Sequence, residues 1–408
     1  MSPAKYVLIG GGVTSHEAAK QIRRIDDEAT ITLIGDEPYR PYNRPPLSKE
    51  FLRGDEEREN LYLSPKTFYA ESRIESAFGV RAQSIDRATG TVTLSNGARL
   101  DYHKLLIATG ASPVRPSIPG NAKPGVYYLR TLEDAEAMAA EAKAGKRAVV
   151  VGAGFIGLEV AATLTQLGVA VRTVEAMPQI WPRFAGPELA SHVQGYCEGR
   201  GIEFRLGDGV EEVLGGDRVS GVKTKSGEEL PCDFVVIGVG VRPEVGLAQS
   251  AGLSVDNGIV ADEYMRTVDP DIYAAGDVAS FFDPTFGTTR RVEHWGHAEY
   301  AGQVAGLNMA GEETAYDMVT YVWSDIFDLH LEFGGEESGH DETVVRGNME
   351  SNEFIVLTLK NRELRSYFSV NTPAREFPVF QRFIKRKTDL TGRSAELADP
   401  TFNVRSLL

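Results

Sequence analysis

A glycine turn set between an apolar stretch and a helical pattern is written twice in this chain, and that doubling constrains the fold more than any other feature. Residues 5–19, KYVLIGGGVTSHEAA, run from an apolar stretch through glycines into a helix-like segment, and residues 147–162, RAVVVGAGFIGLEVAA, repeat the order. The second copy is a complete G-x-G-x-x-G with Gly152, Gly154 and Gly157; the first has Gly10 and Gly12 but Ser15 in the third place. The first glycine of such a turn permits its tight bend, the second lets backbone approach a pyrophosphate, and the third lets helix and strand pack closely. The helix start then offers free N–H groups and a partial positive charge to the phosphates. About 20 residues after each turn a carboxylate closes a second apolar run, Asp36 after ATITLIG and Glu175 after VAVRTV. Such a residue accepts hydrogen bonds from an adenosine ribose.

The repeat continues downstream. A turn at Ser95-Asn96-Gly97 leads to LLIATGASP, and one at Lys225-Ser226-Gly227 leads to FVVIGVGVRP. Thirteen residues separate Gly97 from Gly110 and Gly227 from Gly240, and a proline follows three residues later in both, Pro113 and Pro243. Fingerprint, carboxylate, turn and exit strand in one order, twice, predict an α/β chain with two Rossmann-like dinucleotide-binding domains. The length of 408 residues agrees, being too great for one ordinary core.

Composition removes several function classes. The formal net charge of −15 would repel polyphosphate, which argues against nucleic acid as a partner. No apolar run approaches the roughly 20 residues of a membrane-spanning helix. The N-terminus enters a strand without a charged-then-apolar leader, so the expected location is the cytoplasm. Cys197 and Cys232 lie far apart, with no C-x-x-C pair and no zinc spacing; both read as inert thiols, and no metal is expected.

Glu175 is followed by Ala176 and Met177, with no arginine for a 2′-phosphate. The second turn therefore selects NADH over NADPH. The first needs a different ligand, since two NAD sites would achieve little chemistry. In DPDIYAAGDVA an apolar strand ends at Gly276-Asp277. That carboxylate suits a sugar-alcohol hydroxyl such as flavin ribitol, or a helix cap.

With GGGVTSHEAA, RPPLSK, LLIATG, YLRTLEDAE, VVVGAGFIGLEVAA, VIGVGVRP, YAAGDVA and VRG in place, the chain resembles the two-dinucleotide flavoproteins of the glutathione-reductase superfamily. More narrowly, it is similar to the NADH-dependent ferredoxin reductases of bacterial oxygenase chains, of the putidaredoxin-reductase and biphenyl-dioxygenase ferredoxin-reductase type. The resemblance implies FAD and NADH as cofactors, a [2Fe-2S] ferredoxin as partner, and a monomer rather than a dimer. It implies FAD contacts for Gly10, Gly12, Thr14, Ser15, Asp36, Arg44, Lys49, Ala82, Ala108, Thr109, Gly110, Arg130, Gly276, Asp277 and Trp295. For NAD it implies Gly152, Gly154, Phe155, Ile156, Gly157, Glu159, Glu175, Gly238 and Gly240.

The arm YNRPPLSKEF, residues 42–51, joins these motifs. In the family it passes beside the isoalloxazine, with Lys49 close to the reactive flavin edge and paired with the glutamate of G-L-E, here Glu159. A fixed cation there favours electron density arriving on the ring, and Pro45 and Pro46 stiffen the backbone that carries it. Where disulfide-reducing relatives need cysteines, the arm has Leu47 and Ser48. Electrons must then leave the flavin directly.

Other signals are weaker. His294 and His297 lack a clustered third ligand and read as packing or hydrogen-bonding groups. Trp323 lies in a W-S-D segment after which relatives carry Gln and this chain has Ile326. It fits a ring stacked on flavin or a core tryptophan. Arg290 and Arg291 are the candidate basic patch for an acidic ferredoxin.

The expected division is a FAD-binding domain at 1–111 and 245–316, an NAD-binding domain at 112–244, and a C-terminal α+β interface domain at 317–408 with a loosely ordered polar tail from about 390. The expected activity is NADH:ferredoxin oxidoreduction through FAD, electrons passing singly to a ferredoxin that feeds an oxygenase. Alternatives are reduction of a small acceptor or rubredoxin, of monodehydroascorbate or quinone type, and an apoptosis-inducing-factor-like NADH sensor.

Overall fold

The computed structural model describes residues 3–182, 184–336 and 339–408. The chain divides into two compact units. One comprises the chain up to Asn43, Arg58–Ser112 and Arg242–Thr320; the other comprises Arg44–Glu57, Pro113–Val241 and Tyr321–Leu408.

The first unit is built on a parallel sheet of five strands in the order Ile272–Ala274, Lys104–Ile107, Lys5–Ile9, Thr30–Gly35 and Ile74–Phe78. The inner strands are short and almost continuously apolar, as strands covered on both faces must be, whereas the edge strand Ile74–Phe78 carries exposed Glu75 and Ser76. The helix Val13–Ile25 leaves the central strand and packs along the helix Trp295–Met309. Its approach is close because Gly302 and Gly306 face it: a Cβ on Gly302 would stand 2.3 Å from the Thr14 carbonyl oxygen, and one on Gly306 2.5 Å from that of Ala18.

The second unit repeats the plan. Its parallel sheet runs Glu203–Leu206, Ala170–Glu175, Arg147–Val151, Phe234–Ile237 and Val126–Tyr127. The helix Phe155–Gln166 leaves its central strand. The likeness reaches small details. Each unit carries a three-stranded antiparallel sheet, Ala82–Asp86 with Thr91–Leu94 and Arg99–Asp101 in one, Val210–Leu214 with Gly221–Thr224 and Glu229–Pro231 in the other. The register shifts near the start of the first strand in both, between Ala82 and Ser84 and between Val210 and Glu212.

The second unit also holds an antiparallel sheet of five strands, Tyr321–Ile326, Leu329–Gly335, Glu363–Val370, Glu353–Lys360 and Glu342–Asn348, backed by the helix Phe377–Arg386. Phe333, Phe354, Phe368 and Val370 from this sheet share one core with Trp181, Leu158 and Val150. The α/β class with a C-terminal α+β region is thus as expected. The polar tail is a correction. It forms a short helix, Ser394–Ala398, and a final 3-10 turn, Val404–Leu407. Arg346 of the VRG motif explains the order. It is buried, pairs bidentately with Glu376, and donates to the carbonyls of Leu397, Asp399, Pro400 and Phe402. A planar cation with five N–H donors suits such a clamp.

Candidate functional sites at the two glycine turns and the proline arm

In the first unit the strand Lys5–Ile9 ends at Gly10, whose φ is +134°. A Cβ there would lie 2.0 Å from the Ala108 carbonyl oxygen, so only glycine passes this point. Gly12 caps the helix without a side-chain bond, and a Cβ on it would meet nothing within 4 Å. Backbone N–H groups at the helix start are thus open to a ligand on that side. Thr14 and Ser15 follow, both buried, and they differ. The Thr14 hydroxyl donates to the Ala298 carbonyl at 2.9 Å, whereas the Ser15 hydroxyl has no hydrogen-bond partner. A buried hydroxyl without a partner is costly, and a pyrophosphate oxygen at the helix start would satisfy it. These features fit the FAD pyrophosphate.

The structure brings Gly276 to the same place, since a Cβ on it would stand 2.5 Å from Thr14 Oγ1. Asp277 follows, buried, in the 3-10 turn Gly276–Val278. The Thr109 hydroxyl donates to Glu244 O at 2.8 Å, and Gly110 O accepts from Glu244 N at 2.9 Å, which fixes the segment after the strand Lys104–Ile107. Asp36 lies at the end of its strand as expected, but it is exposed and accepts from Arg81, the neighbour of Ala82, at 3.4 Å. The fingerprint gave no sign of Arg81. Trp295 opens its helix and is half-buried. His297 is a packing residue. It stacks on Phe281, bonds to Tyr316 at 2.9 Å, and is held down to about 3 by burial.

Arg290 and Arg291 do not form an open basic patch. Arg290 turns inward to Thr320 at 2.6 Å and to Asp283 at 3.6 Å, and Arg291 pairs with Glu293 at 2.5 Å. Both side chains are more than four-fifths buried, so neighbouring carboxylates neutralise the charge that two adjacent arginines promised.

The second turn is tighter. Gly152 has φ +102°, and a Cβ on it would meet Gly238 O at 2.4 Å; one on Gly157 would meet Gly152 O at 2.1 Å. Gly154, like Gly12, faces open space. Phe155 packs on Trp181 and Phe184, while Ile156 stands 48% exposed, as does Met177, with Val239 at 41%. Large apolar side chains beside an open backbone cradle offer a surface for a ligand's flat ring. Gly240 O accepts from Val114 N at 2.9 Å. Glu175 is oriented in advance: Oε2 accepts from Ala153 N at 2.7 Å and Oε1 from Met177 N at 2.8 Å. Its remaining lone pairs suit ribose hydroxyls. This turn fits the adenosine half of NAD.

From Arg44 onward the arm lies in the same unit. Pro45–Ser48 form a 3-10 turn, and the Arg44 guanidinium donates to the Arg130 carbonyl. Arg130 N in turn donates to Asp134, within the capping box of the helix Leu132–Glu141. Lys49 and Glu159, paired in expectation, are both buried, with Nζ 3.7 Å from Oε1. Ser48 donates to the other carboxylate oxygen, and Ser324 donates to Oε1 at 2.7 Å. Thr163, one turn along the helix, ties down the arm by donating to Ser48 O at 2.8 Å. Burial pushes Glu159 above the usual carboxylate range, opposed by Lys49 and the two hydroxyls. Asp325 also reaches Lys49, at 3.6 Å, and accepts from His330 at 2.7 Å. Ser324 and Asp325 belong to the W-S-D segment, and it is this polar pair that contacts Glu159 and Lys49. Trp323 is half-buried, beside Tyr321.

Comparison with known proteins settles the family. Residues 4–302 match the family described as pyridine nucleotide-disulphide oxidoreductase, and residues 321–408 match the reductase C-terminal family. The chain belongs to the pyridine nucleotide-disulphide oxidoreductases. It is 37% identical to rhodocoxin reductase of Rhodococcus erythropolis, across 98% of this chain and 93% of that one. It is 34% identical to the ferredoxin–NAD(+) reductase component of the anthranilate 1,2-dioxygenase system of Burkholderia cepacia, across the whole of both. Among solved structures it resembles the reductase of the covalent putidaredoxin reductase–putidaredoxin complex, with a TM-score of 0.95 and 31% identity over 100% of this chain and 98% of that one. As a pyridine nucleotide-disulphide oxidoreductase it departs from the family's name. Its cysteines, Cys197 and Cys232, are free and buried, and burial pushes both thiols up to about 12. Thiolates are the reactive form, so burial holds both in the unreactive thiol form.

Proposed function

We propose that this chain is an NADH-dependent, FAD-containing reductase that passes electrons singly to a [2Fe-2S] ferredoxin serving an oxygenase. The balance is one NADH and two oxidised ferredoxins giving NAD+, two reduced ferredoxins and one proton. FAD, when bound, supplies the chemistry: it accepts a hydride and releases electrons one at a time. The observation that carries the reading is the buried ammonium–carboxylate pair that Lys49 of the cysteine-free arm forms with Glu159.

In this reading Gly10, Gly12, Thr14 and Ser15 hold the FAD pyrophosphate. Asp36 meets its ribose, Asp277 its ribitol and Arg130 its phosphate, and Arg44 contacts the cofactor beside the arm. Ala82, Ala108, Thr109, Gly110, Gly276 and Trp295 line the cofactor. Gly152, Gly154 and Gly157 admit the NAD pyrophosphate, Glu175 binds its ribose, and Phe155, Ile156, Gly238 and Gly240 line the rest. Lys49 supplies fixed positive charge where electron density arrives, and Glu159 holds that lysine in place; orientation and preorganised charge provide the acceleration. The proposed division is a FAD domain at 1–111 and 245–316, an NAD domain at 112–244 and an interface domain at 317–408. No helix among the described residues is long and apolar enough to cross a membrane. A cytoplasmic location follows from NADH as reductant.

Stopped-flow reduction tests the reading. Thiol-alkylated, FAD-loaded protein should bleach with NADH and then reduce a [2Fe-2S] ferredoxin. Bleaching abolished by alkylation, or transfer only to quinones or monodehydroascorbate, would remove it.

A further inference from the structure

Lys49 is claimed by two carboxylates. Its ammonium nitrogen stands 3.7 Å from Oε1 of Glu159 and 3.6 Å from Oδ2 of Asp325, so distance favours neither. The other oxygen of Asp325 lies 2.7 Å from Nδ1 of His330. Asp325 and His330 face each other across the antiparallel pair formed by Tyr321–Ile326 and Leu329–Gly335. The hairpin therefore holds this contact in register. The four groups grade outward: Glu159 and Lys49 are buried, Asp325 is part-buried, and His330 is exposed.

Protons from solvent meet this network first at the imidazole. With His330 neutral, one ammonium faces two carboxylates and the network carries an excess negative charge. With His330 protonated, the four charges cancel, and Asp325 is engaged from its outer side. Attraction between the inner pair is strong because the surroundings are poorly polarisable.

We propose that His330 is a positioning residue for Lys49, its protonation drawing Asp325 away and leaving the ammonium to Glu159. The consequence for catalysis rests on the reading above that Lys49 stands beside FAD. The charge exchange itself does not.

The groups that face His330 are Asp325 from the neighbouring strand, Glu332 from its own strand, and Lys49 from the arm. On the other side Asn371 meets only the backbone of His330, and the Glu332 carboxylate accepts from Tyr367, to which Gln381 of the helix Phe377–Arg386 donates. The Asp325 hydrogen bond lifts His330 above the usual histidine range, against burial and Lys49. The same bond holds Asp325 below the carboxylate range. The change of charge therefore falls above about pH 6.5, the ordinary histidine value.

Histidine ring signals, followed by NMR through a pH titration of FAD-loaded protein, test the coupling. Asp325→Asn should lower the His330 titration point. Lys49→Gln should raise it by about half a unit or more, roughly threefold in proton affinity. A titration point unmoved by Lys49→Gln overturns the proposal.

Should that variant fail to fold, His330→Gln and His330→Lys decide the matter. Bleaching by NADH should show in the wild type a faster acid limb and a slower alkaline limb, differing severalfold. His330→Gln should run at the alkaline rate throughout, and His330→Lys at the acid rate. A wild-type step that survives in His330→Gln, or a His330→Lys that matches His330→Gln, overturns the proposal. If neither the wild type nor any variant bleaches while the titration points still move together, the proposed function fails and the positioning role stands.

Discussion

The two glycine turns begin alike and are closed by different neighbours. Gly10 and Gly152 each slide under the carbonyl of the adjoining strand's exit, Ala108 O at 2.0 Å and Gly238 O at 2.4 Å from a notional Cβ. Beyond that point they part. The second turn uses Gly157 to bring its helix against Gly152 O. The first has Ser15 there, and its glycines sit instead on a second helix, where Gly302 and Gly306 lie against Thr14 and Ala18. The first helix is thus gripped by close backbone packing against a glycine-bearing helix, with the Thr14 hydroxyl bonded to Ala298 O beside it. The second is gripped by a buried polar network through Glu159, Thr163, Ser48 and Ser324. One suits a cofactor kept through every turnover, the other a cosubstrate that comes and goes beside a charge.

The largest effect should come from breaking the first grip. Gly302→Val places methyl groups where the Thr14 backbone stands, with no flexible side chain to move aside. A loss above about 4 kcal/mol is expected, the range of severe core overpacking, together with failure to retain FAD. A thermal melt within a few degrees of wild type would show that the two helices separate without penalty.

Breaking the second grip should cost less and depend on pH. Lys49→Met leaves Glu159 buried without its cation, and removing one partner of a buried pair costs about 3–5 kcal/mol. Burial already raises Glu159, and the lost ammonium was opposing that rise. The folded variant therefore holds the carboxyl proton more tightly than the unfolded chain does. Its stability is complete below about pH 4.3, the ordinary glutamate value, and is lost as pH rises through the folded value. Urea midpoints near pH 5 and pH 8 should differ more in the variant than in the wild type.

Which parts of this were legible in the sequence follows from their physics. Repeated glycines, carboxylates and turns are local constraints, so the two sheets and even the paired antiparallel extensions could be expected from spacing. The pairing of Lys49 with Glu159 came from family resemblance, since 110 positions of chain separate them. The partners Ser324, Asp325 and His330 were missed because strand pairing brings them to the arm and no spacing rule links them to it. Arg290 and Arg291 misled for the converse reason, because adjacent arginines look like surface charge until Asp283 and Glu293 are found against them. The tail misled likewise, its polarity concealing the four carbonyls that Arg346 gathers.

The carboxylates that follow the turns differ as the turns do. Asp36 is exposed and shares its charge with Arg81, an interaction that solvent weakens. Glu175 is fixed by two backbone N–H groups. Glu175→Ala should therefore lower kcat/KM for NADH by about tenfold or more, roughly 1.4 kcal/mol, while NADPH use changes little. Asp36→Ala should weaken FAD retention by less. Equal losses with NADH and NADPH would show that Glu175 serves only to brace the turn.

The smallest effect is the most discriminating, because it isolates the one place where the first fingerprint departs from glycine. Ser15→Ala removes a buried hydroxyl that bonds to nothing in the protein. If that hydroxyl served the fold alone, its loss would be neutral or stabilising by up to about 1 kcal/mol, since a polar group is no longer buried without a partner. If it answers the FAD pyrophosphate, the apoprotein should show the same neutral or raised melting point while affinity for FAD falls about fivefold to tenfold, within the range of one ordinary hydrogen bond. Apoprotein stability and FAD affinity thus move in opposite directions only when the serine is a ligand. A neutral or raised melting point with FAD affinity unchanged would make it a packing residue, and the first turn would then bind its nucleotide through backbone N–H groups alone, as the all-glycine second turn must.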